Sequence, residues 1–323
     1  MIDFVSATNT SGETLVMPLA TPETSGFAVA KVEGIGPVDA SVTTSTFAGR
    51  DGAVNTGTRV GVRTIILTLV YRPDWSKGET IESLRHKTYR HFPMKERVKF
   101  RIKADERDVM IEGIVESNSI DIFSSQEMSK ISIHCPDPYF RQSFGMDLGN
   151  AISFSAVTPN FSFPFENTPV DQQVIEFSIE DLRTETPVEY KGDVESGAKF
   201  TINILKRCEK VTITHLGMDV GTYVPPENTV YLDLDSQYLN RVNYLLPKPF
   251  LAGDQITVNT ELGNRSIEFL RGDKSYNGMP LSSIYGAWPL MYPGVNRLGF
   301  KVTGGDMYSV RCSVVIDPRY MGV

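Results

Sequence analysis

The chain is poor in the residues that most often carry chemistry, with four histidines, three cysteines and two tryptophans in 323 residues. His86 and His91 are five residues apart, which is not the i, i+4 pair of a helical metal site. His134 and Cys135 are neighbours in an alternating segment. Their side chains point to opposite faces and cannot form a local Cys–His dyad. Cys135, Cys208 and Cys312 are an odd and scattered set. This excludes a disulfide framework and zinc-type spacing. Buried free thiols are the expectation, in keeping with synthesis in a reducing cytoplasm. No apolar run approaches the length that spans a bilayer. The first ten residues have no basic region followed by an apolar one, so no signal peptide is expected. Also missing are Gly-x-Ser-x-Gly, His-Glu-x-x-His, a phosphate-binding loop and a dinucleotide fingerprint. These absences predict no catalytic residues, no metal and no cofactor.

Positive charge is also in short supply. The net charge is −7 and the isoelectric point about 5.3. A sequence-independent nucleic-acid binder needs a positive surface to exchange for condensed counterions. Lys95, Arg97, Lys99, Arg101 and Lys103 do alternate with Val98, Phe100 and Ile102. That pattern predicts a strand with one basic and one apolar face, read as solvated or subunit-facing rather than as a phosphate track.

What is there reads as β structure. Hydrophobic residues make up 41% and charged residues 22%, an ordinary globular balance. The length suits two domains, and the Cys135-Pro-Asp-Pro-Tyr-Phe140 stop places the boundary at residues 1–140 and 141–323. In the first half, Arg63–Arg72 is a strong strand. Val98–Ala104 and Val109–Ser117 form a hairpin, and Ser129–Cys135 follows. One helix is predicted, opened by a capping box at Ser76 and Glu79 and closed by Pro93. Gly34-Ile-Gly36 is a turn. Ala40–Thr46 is a strand, and Phe47–Gly61, with four glycines and Asp51-Gly52, predicts a long projecting hairpin or loop. A loop of that length is unusual unless it is functional, which makes Phe47, Arg50, Asp51, Val54, Arg59 and the adjoining Arg63 candidates for a subunit interface.

Beyond Phe140, short strands with turn signals predict a β-sandwich, the aromatic segment Phe161–Pro169 an extended junction, and Val174–Ile179 a strand. The closing residues Asp317–Val323 are expected to pack back on that sandwich. Asp233 and Asp235 share a strand face, where a strand end is favoured over a glycosidase pair or a calcium site. Arg271-Gly272-Asp273 reads as a hairpin turn. Trp288 and Tyr292 are the aromatics that could face a partner or a sugar, and an edge-packed tryptophan is the simpler reading.

The chain resembles the distal tail proteins of long, non-contractile-tailed bacteriophages, the siphovirus tail-component family. The resemblance runs from about Phe27 to Val323. It rests on Val32-Glu-Gly-Ile-Gly-Pro37, Asp51-Gly52, Arg59-Val-Gly-Val-Arg63 and Tyr89-Arg-His-Phe-Pro93. Cys135-Pro-Asp-Pro-Tyr-Phe140, Trp288-Pro-Leu-Met-Tyr-Pro-Gly-Val-Asn296 and Pro318-Arg-Tyr-Met-Gly-Val323 continue it.

The resemblance implies a mainly β fold. It implies an N-terminal β-sandwich-like ring domain with one helix and a long hairpin, and a C-terminal galectin-like β-sandwich. It further implies a homohexameric ring at the tail tip that joins the tail tube protein to the tail-tip hub, or tail-associated, protein. The outer sandwich would carry receptor-binding or side-tail proteins. No specific nucleic-acid binding and no membrane are implied, since DNA only passes through the ring. The alternative from the residues is a carbohydrate-binding adhesin that uses the C-terminal sandwich. A glycan hydrolase would require convergent carboxylates that the sequence does not display.

Overall fold

The computed structural model describes residues 1–49, 51–122, 126–143, 151–154, 157–159, 178–180, 185–218, 229–283, 286–305 and 309–323. Residues 151–154, 157–159, 178–180 and 185 are described by backbone alone. The expected segment 161–169 and most of the expected strand 174–179 lie outside the described residues. The chain divides into two compact units, Met1–Gly145 with Arg319–Val323, and Met146–Pro318.

The first unit is built on one mixed-length antiparallel sheet. Its strands are β1 (Ile2–Thr8), β2 (Thr14–Pro18), β3 (Phe27–Glu33), β4 (Ala40–Ser45), β5 (Val54–Val60), β6 (Arg63–Tyr71), β7 (Arg97–Ala104), β8 (Asp108–Asp121), β9 (Met128–Cys135) and β10 (Phe140–Gln142). The sheet order is β2-β1-β7-β8-β9-β6-β3, and β4 and β5 pair only with each other. Period-two patterning fixes which face is inside. In β7, Val98, Phe100 and Ile102 are buried, and in β6 Ile65, Leu67 and Leu69 are buried. The alternating basic residues of β7 lie on the other face. There Arg97 pairs with Glu112 at 3.0 Å and Arg101 with Asp108 at 2.5 Å, so β8 neutralises part of the basic stripe.

The helix α1 (Ile81–His91) closes the apolar side with Leu84 and Thr88, and Phe92 beyond its end is buried too. Its capping box is Thr80 and Ser83 rather than Ser76 and Glu79. Ser76 belongs to a preceding single turn at Trp75–Lys77, capped by Asp74 and ended by Gly78 at φ +72°. That left-handed residue separates Ser76 from the helix, so the helix starts four residues later than its Ser76 signal suggests.

Pro136 and Pro138 stop β9, as the sequence predicts. The chain then rejoins the edge of β8 through β10, with Arg141 opposite Met110. A further strand, β23 (Arg319–Tyr320), pairs with β10, Phe140 opposite Tyr320. Tyr320 and Val323 pack against the core of this first unit, and the Val323 N–H donates to the Ile35 carbonyl at 3.2 Å. The expectation that Asp317–Val323 pack back on the second sandwich is therefore corrected for Arg319–Val323, while Asp317 and Pro318 stay with the second unit, and a boundary that gives 141–323 wholly to the second domain is corrected with it. Tyr320 and Val323 find their apolar cover beside Ile35 and Phe140, and the strand finds an open ladder at β10.

The second unit is a β-sandwich. One sheet has the order β11-β22-β15-β18-β19-β20 and the other β14-β21-β16-β17. The first comprises β11 (Ala151–Phe154), β15 (Ala198–Ile204), β18 (Gln255–Asn259), β19 (Ser266–Arg271), β20 (Lys274–Asn277) and β22 (Val310–Ile316). The second comprises β14 (Glu185–Tyr190), β16 (Lys210–Met218), β17 (Val230–Asp235) and β21 (Gly294–Thr303). A two-stranded ribbon, β12 (Val157–Pro159) with β13 (Ser178–Glu180), and the four-residue helix α2 (Leu239–Val242) complete it. Phe200, Ile202, Phe269, Ile213 and Leu298 fill the space between the sheets. The fold is mainly β, as expected. No helix among the described residues is long and apolar enough to cross a membrane.

Candidate functional site

Among the described residues of the first unit, the β4–β5 hairpin is left uncovered along its whole length. Its register runs from Ala40 opposite Val60 to Ser45 opposite Val54, with a bulge between Thr43 and Thr44. Gly49 and Gly52 take φ of +78° and +87° at the tip, which the sequence places there for that purpose. Every residue of both strands is exposed. Val42, Phe47 and Val54 present apolar surface at 57%, 59% and 42% exposure. An isolated two-stranded ribbon is marginal in water, and this one draws little cover from the described residues of its own unit. Phe47, Asp51, Val54 and Arg59 are all exposed on it, while Arg50 lies outside the described residues.

Arg63 does not join them. It is 2% exposed, and its guanidinium donates to the carbonyls of Pro138 (2.6 Å), Gly36 (2.6 Å), Met321 (2.6 Å) and Gly34. One face of the group lies over the Phe140 ring at 4.6 Å. Burial pulls its proton affinity below the ordinary guanidinium value. Arg63 is thus a clamp inside the first unit rather than a surface residue. It ties together the Gly34–Gly36 turn, the proline stop and the returning C-terminal strand. Gly34 is required there. Its φ is +80°, and a Cβ would stand 2.1 Å from the Thr64 carbonyl oxygen.

Beside this clamp, at the foot of the hairpin, is a small apolar pocket of about 170 Å³. Pro37, Val38, Ala40, Val60, Pro138 and Tyr139 line it, and Arg63 and Met321 complete the lining. The sequence gives no sign of this pocket, because its walls come from four separated segments.

The second unit holds the remaining candidates. Asp233 accepts from Lys210 Nζ and from Thr212 Oγ1, both at 2.6 Å. Burial raises its carboxyl, but these two hydrogen bonds outweigh that effect and hold it below the usual value. Asp235 caps the next turn by accepting from Gln237 N at 2.8 Å. One carboxylate is in an ion pair and the other in a cap, which is strand-end chemistry and not an acid–base pair. Arg271 forks onto the buried Asp254 at 2.7 and 2.5 Å and donates to the Pro247 carbonyl at 2.8 Å, so the Arg-Gly-Asp turn has its arginine committed internally.

Trp288 is half-buried against the sandwich core, with the Arg265 guanidinium 5.7 Å from its ring. Tyr292 lies 5.8 Å from the His215 ring. His215 meets Asn296 Oδ1 at 3.0 Å, and both are buried, at 1% and 0% exposure. Burial lowers the His215 pKa from the ordinary histidine value. This histidine–asparagine pair is a satisfied core contact closed to solvent. All three cysteines are buried and free, and burial pushes their thiols up, Cys208 to about 11 and Cys135 and Cys312 to about 12. Among the described residues, no group of three or more His, Cys, Asp or Glu side chains is placed to hold a metal.

No family model matches the chain. No curated protein matches it in sequence either. Solved structures do. The Dit protein of phage SPP1 (gp 19.1), a paradigm of the hub adsorption apparatus in phages that infect Gram-positive bacteria, superposes with a TM-score of 0.62. It is 15% identical, and the match covers 98% of both chains. A chain of the phage P2 baseplate in its activated conformation with calcium is 12% identical over 100% of both chains, with a TM-score of 0.47. The chain therefore has the fold of a siphophage distal tail protein.

Proposed function

We propose that this chain is a structural hub protein of a long, non-contractile phage tail. Six copies form a ring through the first unit, between the tail tube and the tail-tip hub. The second unit is a spacer and docking module for receptor-binding or side-tail proteins. The observation that carries the reading is the bare β4–β5 ribbon, whose exposed Val42, Phe47 and Val54 need a neighbour. A ring is the natural closure for such a contact, because a projection on one copy meets a different surface on the next. The fold shared with SPP1 Dit over 98% of both chains supports the same role by analogy. The net charge of −7 suits a lumen that lets DNA pass without counterion-release binding.

The reading includes no catalysis. Asp233 is in an ion pair, Asp235 caps a turn, and the thiols are buried. An adhesin reading of the sandwich gains little, because His215 and Asn296 face each other inside the core and Trp288 is half-covered. The test is light scattering joined to negative-stain imaging of the purified chain. A mass of six subunits and a six-fold ring with an open centre are expected. A monomer at all concentrations overturns the reading.

A further inference from the structure

We propose that the ring contact is a tip-in-socket joint: Phe47 at the hairpin tip of one copy enters the apolar pocket at the foot of the next copy's hairpin. The inference rests on the ring reading and names the two surfaces that meet.

The size fits. An apolar cavity of about 150 Å³ accepts one benzene-sized group. The pocket measures about 170 Å³, and its walls of proline, valine, alanine and tyrosine suit a phenyl ring. Phe47 is the hairpin's exposed aromatic ring, at 59% exposure.

The polarity fits as well. Arg63 lines the pocket, and its charge meets four main-chain carbonyls and, on one face, the Phe140 ring, with no carboxylate among these partners. A buried cation of that kind favours the electron-rich face of an aromatic ring over an aliphatic side chain. Charges at the two ends are complementary. The tip sequence carries Arg50 and Asp51, and the foot carries the exposed Asp39 and Arg59. Within the chain, Asp39, Asp51 and Arg59 make no ion pair among the described residues. Tip Asp51 against foot Arg59 is a complementary match between copies.

The geometry excludes the same copy. Ala40 and Val60 pair at the foot and Ser45 and Val54 near the tip, so one strand length of roughly 20 Å separates Phe47 from its own pocket. An antiparallel ribbon cannot bring its tip to its own foot without losing its ladder. Phe47 can reach a socket of this kind only on another molecule. A tip that meets a foot is a heterologous contact, which repeats around a ring until it closes.

The test uses the full chain. The double variant Phe47→Cys with Ala40→Cys places one thiol at the tip and one at the socket, while the native thiols are buried. Mild oxidation is expected to give a ladder of covalent multimers that ends at the ring size, and neither single variant gives it. Phe47→Ala and the socket-filling Val60→Trp are each expected to raise the concentration for half-assembly about tenfold or more. Asp51→Arg and Arg59→Asp each weaken assembly alone and restore it when combined. A ring that forms in wild type but yields no covalent ladder and is indifferent to Phe47→Ala overturns the socket and leaves the ring. A wild-type chain that never assembles overturns both.

Discussion

Arg63 donates to the main-chain carbonyl of Met321 at 2.6 Å, across 258 positions of sequence. The same guanidinium holds Gly34, Gly36 and Pro138, so one side chain joins the base of the hairpin, the proline stop of β9 and the returning C-terminal residues. Arg107 reinforces the return, donating to the Gly322 carbonyl at 2.8 Å with its guanidinium 4.8 Å from the Tyr320 ring.

Replacing Arg63 should cost the first unit dearly. Arg63→Ala leaves buried carbonyls without donors, each worth about 1–3 kcal/mol when unsatisfied. A loss of about 3 kcal/mol or more is expected in urea unfolding. Arg63→Lys recovers little, since an ammonium cannot spread its donors over the four carbonyls that the planar fork reaches. Unfolding midpoints of the two variants within error of wild type would refute the clamp.

The three thiols should be silent in the native chain. Cys135 and Cys312, pushed up to about 12, and Cys208, pushed up to about 11, hold almost no thiolate at neutral pH. A chromogenic disulfide reagent is expected to find no fast-reacting thiol under native conditions and three per chain after denaturation. A fast native phase would show that one of the sites opens.

His215 should make the second unit sensitive to acid. Its folded pKa lies below the ordinary value of 6.5 because burial disfavours the charged ring. Between the folded and unfolded pKa values the unfolded chain binds the extra proton, so stability rises with pH there. The contribution is complete above pH 6.5 and is lost as pH falls below it, by at most about 1.4 kcal/mol per pH unit. Thermal melts from pH 7.5 to 5.5 should show a flatter decline in His215→Gln than in wild type. Equal slopes would remove the histidine from the account.

Local patterns made much of this molecule legible in the sequence. The alternation of Lys95–Lys103 gave β7 its inner and outer faces, and the same rule found β6, β9 and most strands of the sandwich. Glycines and the Asp51-Gly52 pair marked the hairpin. The capping box lies at Thr80 and Ser83 because Ser76 gives its N–H and hydroxyl to Asp74 in a separate turn, which a left-handed Gly78 ends before α1 begins. Arg63 and residues 319–323 are not legible locally for a different reason. Their partners are remote in sequence, and no periodicity records a contact between Arg63 and Met321. The pocket was invisible on the same ground, since Pro37, Val60, Pro138 and Met321 come together only in the fold.

The return of residues 319–323 to the first unit has a consequence in time. During synthesis the hairpin, α1 and β6 to β10 emerge early, and the whole of Met146–Pro318 follows before Arg319 appears. Until then Arg63 lacks its Met321 acceptor, β10 lacks its neighbour β23, and the pocket lacks a wall. Translation cut short anywhere within the second unit therefore releases a chain whose first unit is unfinished, even though nearly all of that unit has been made. The pairing of β23 with β10 thus makes the finished state of the first unit conditional on prior synthesis of the whole second unit.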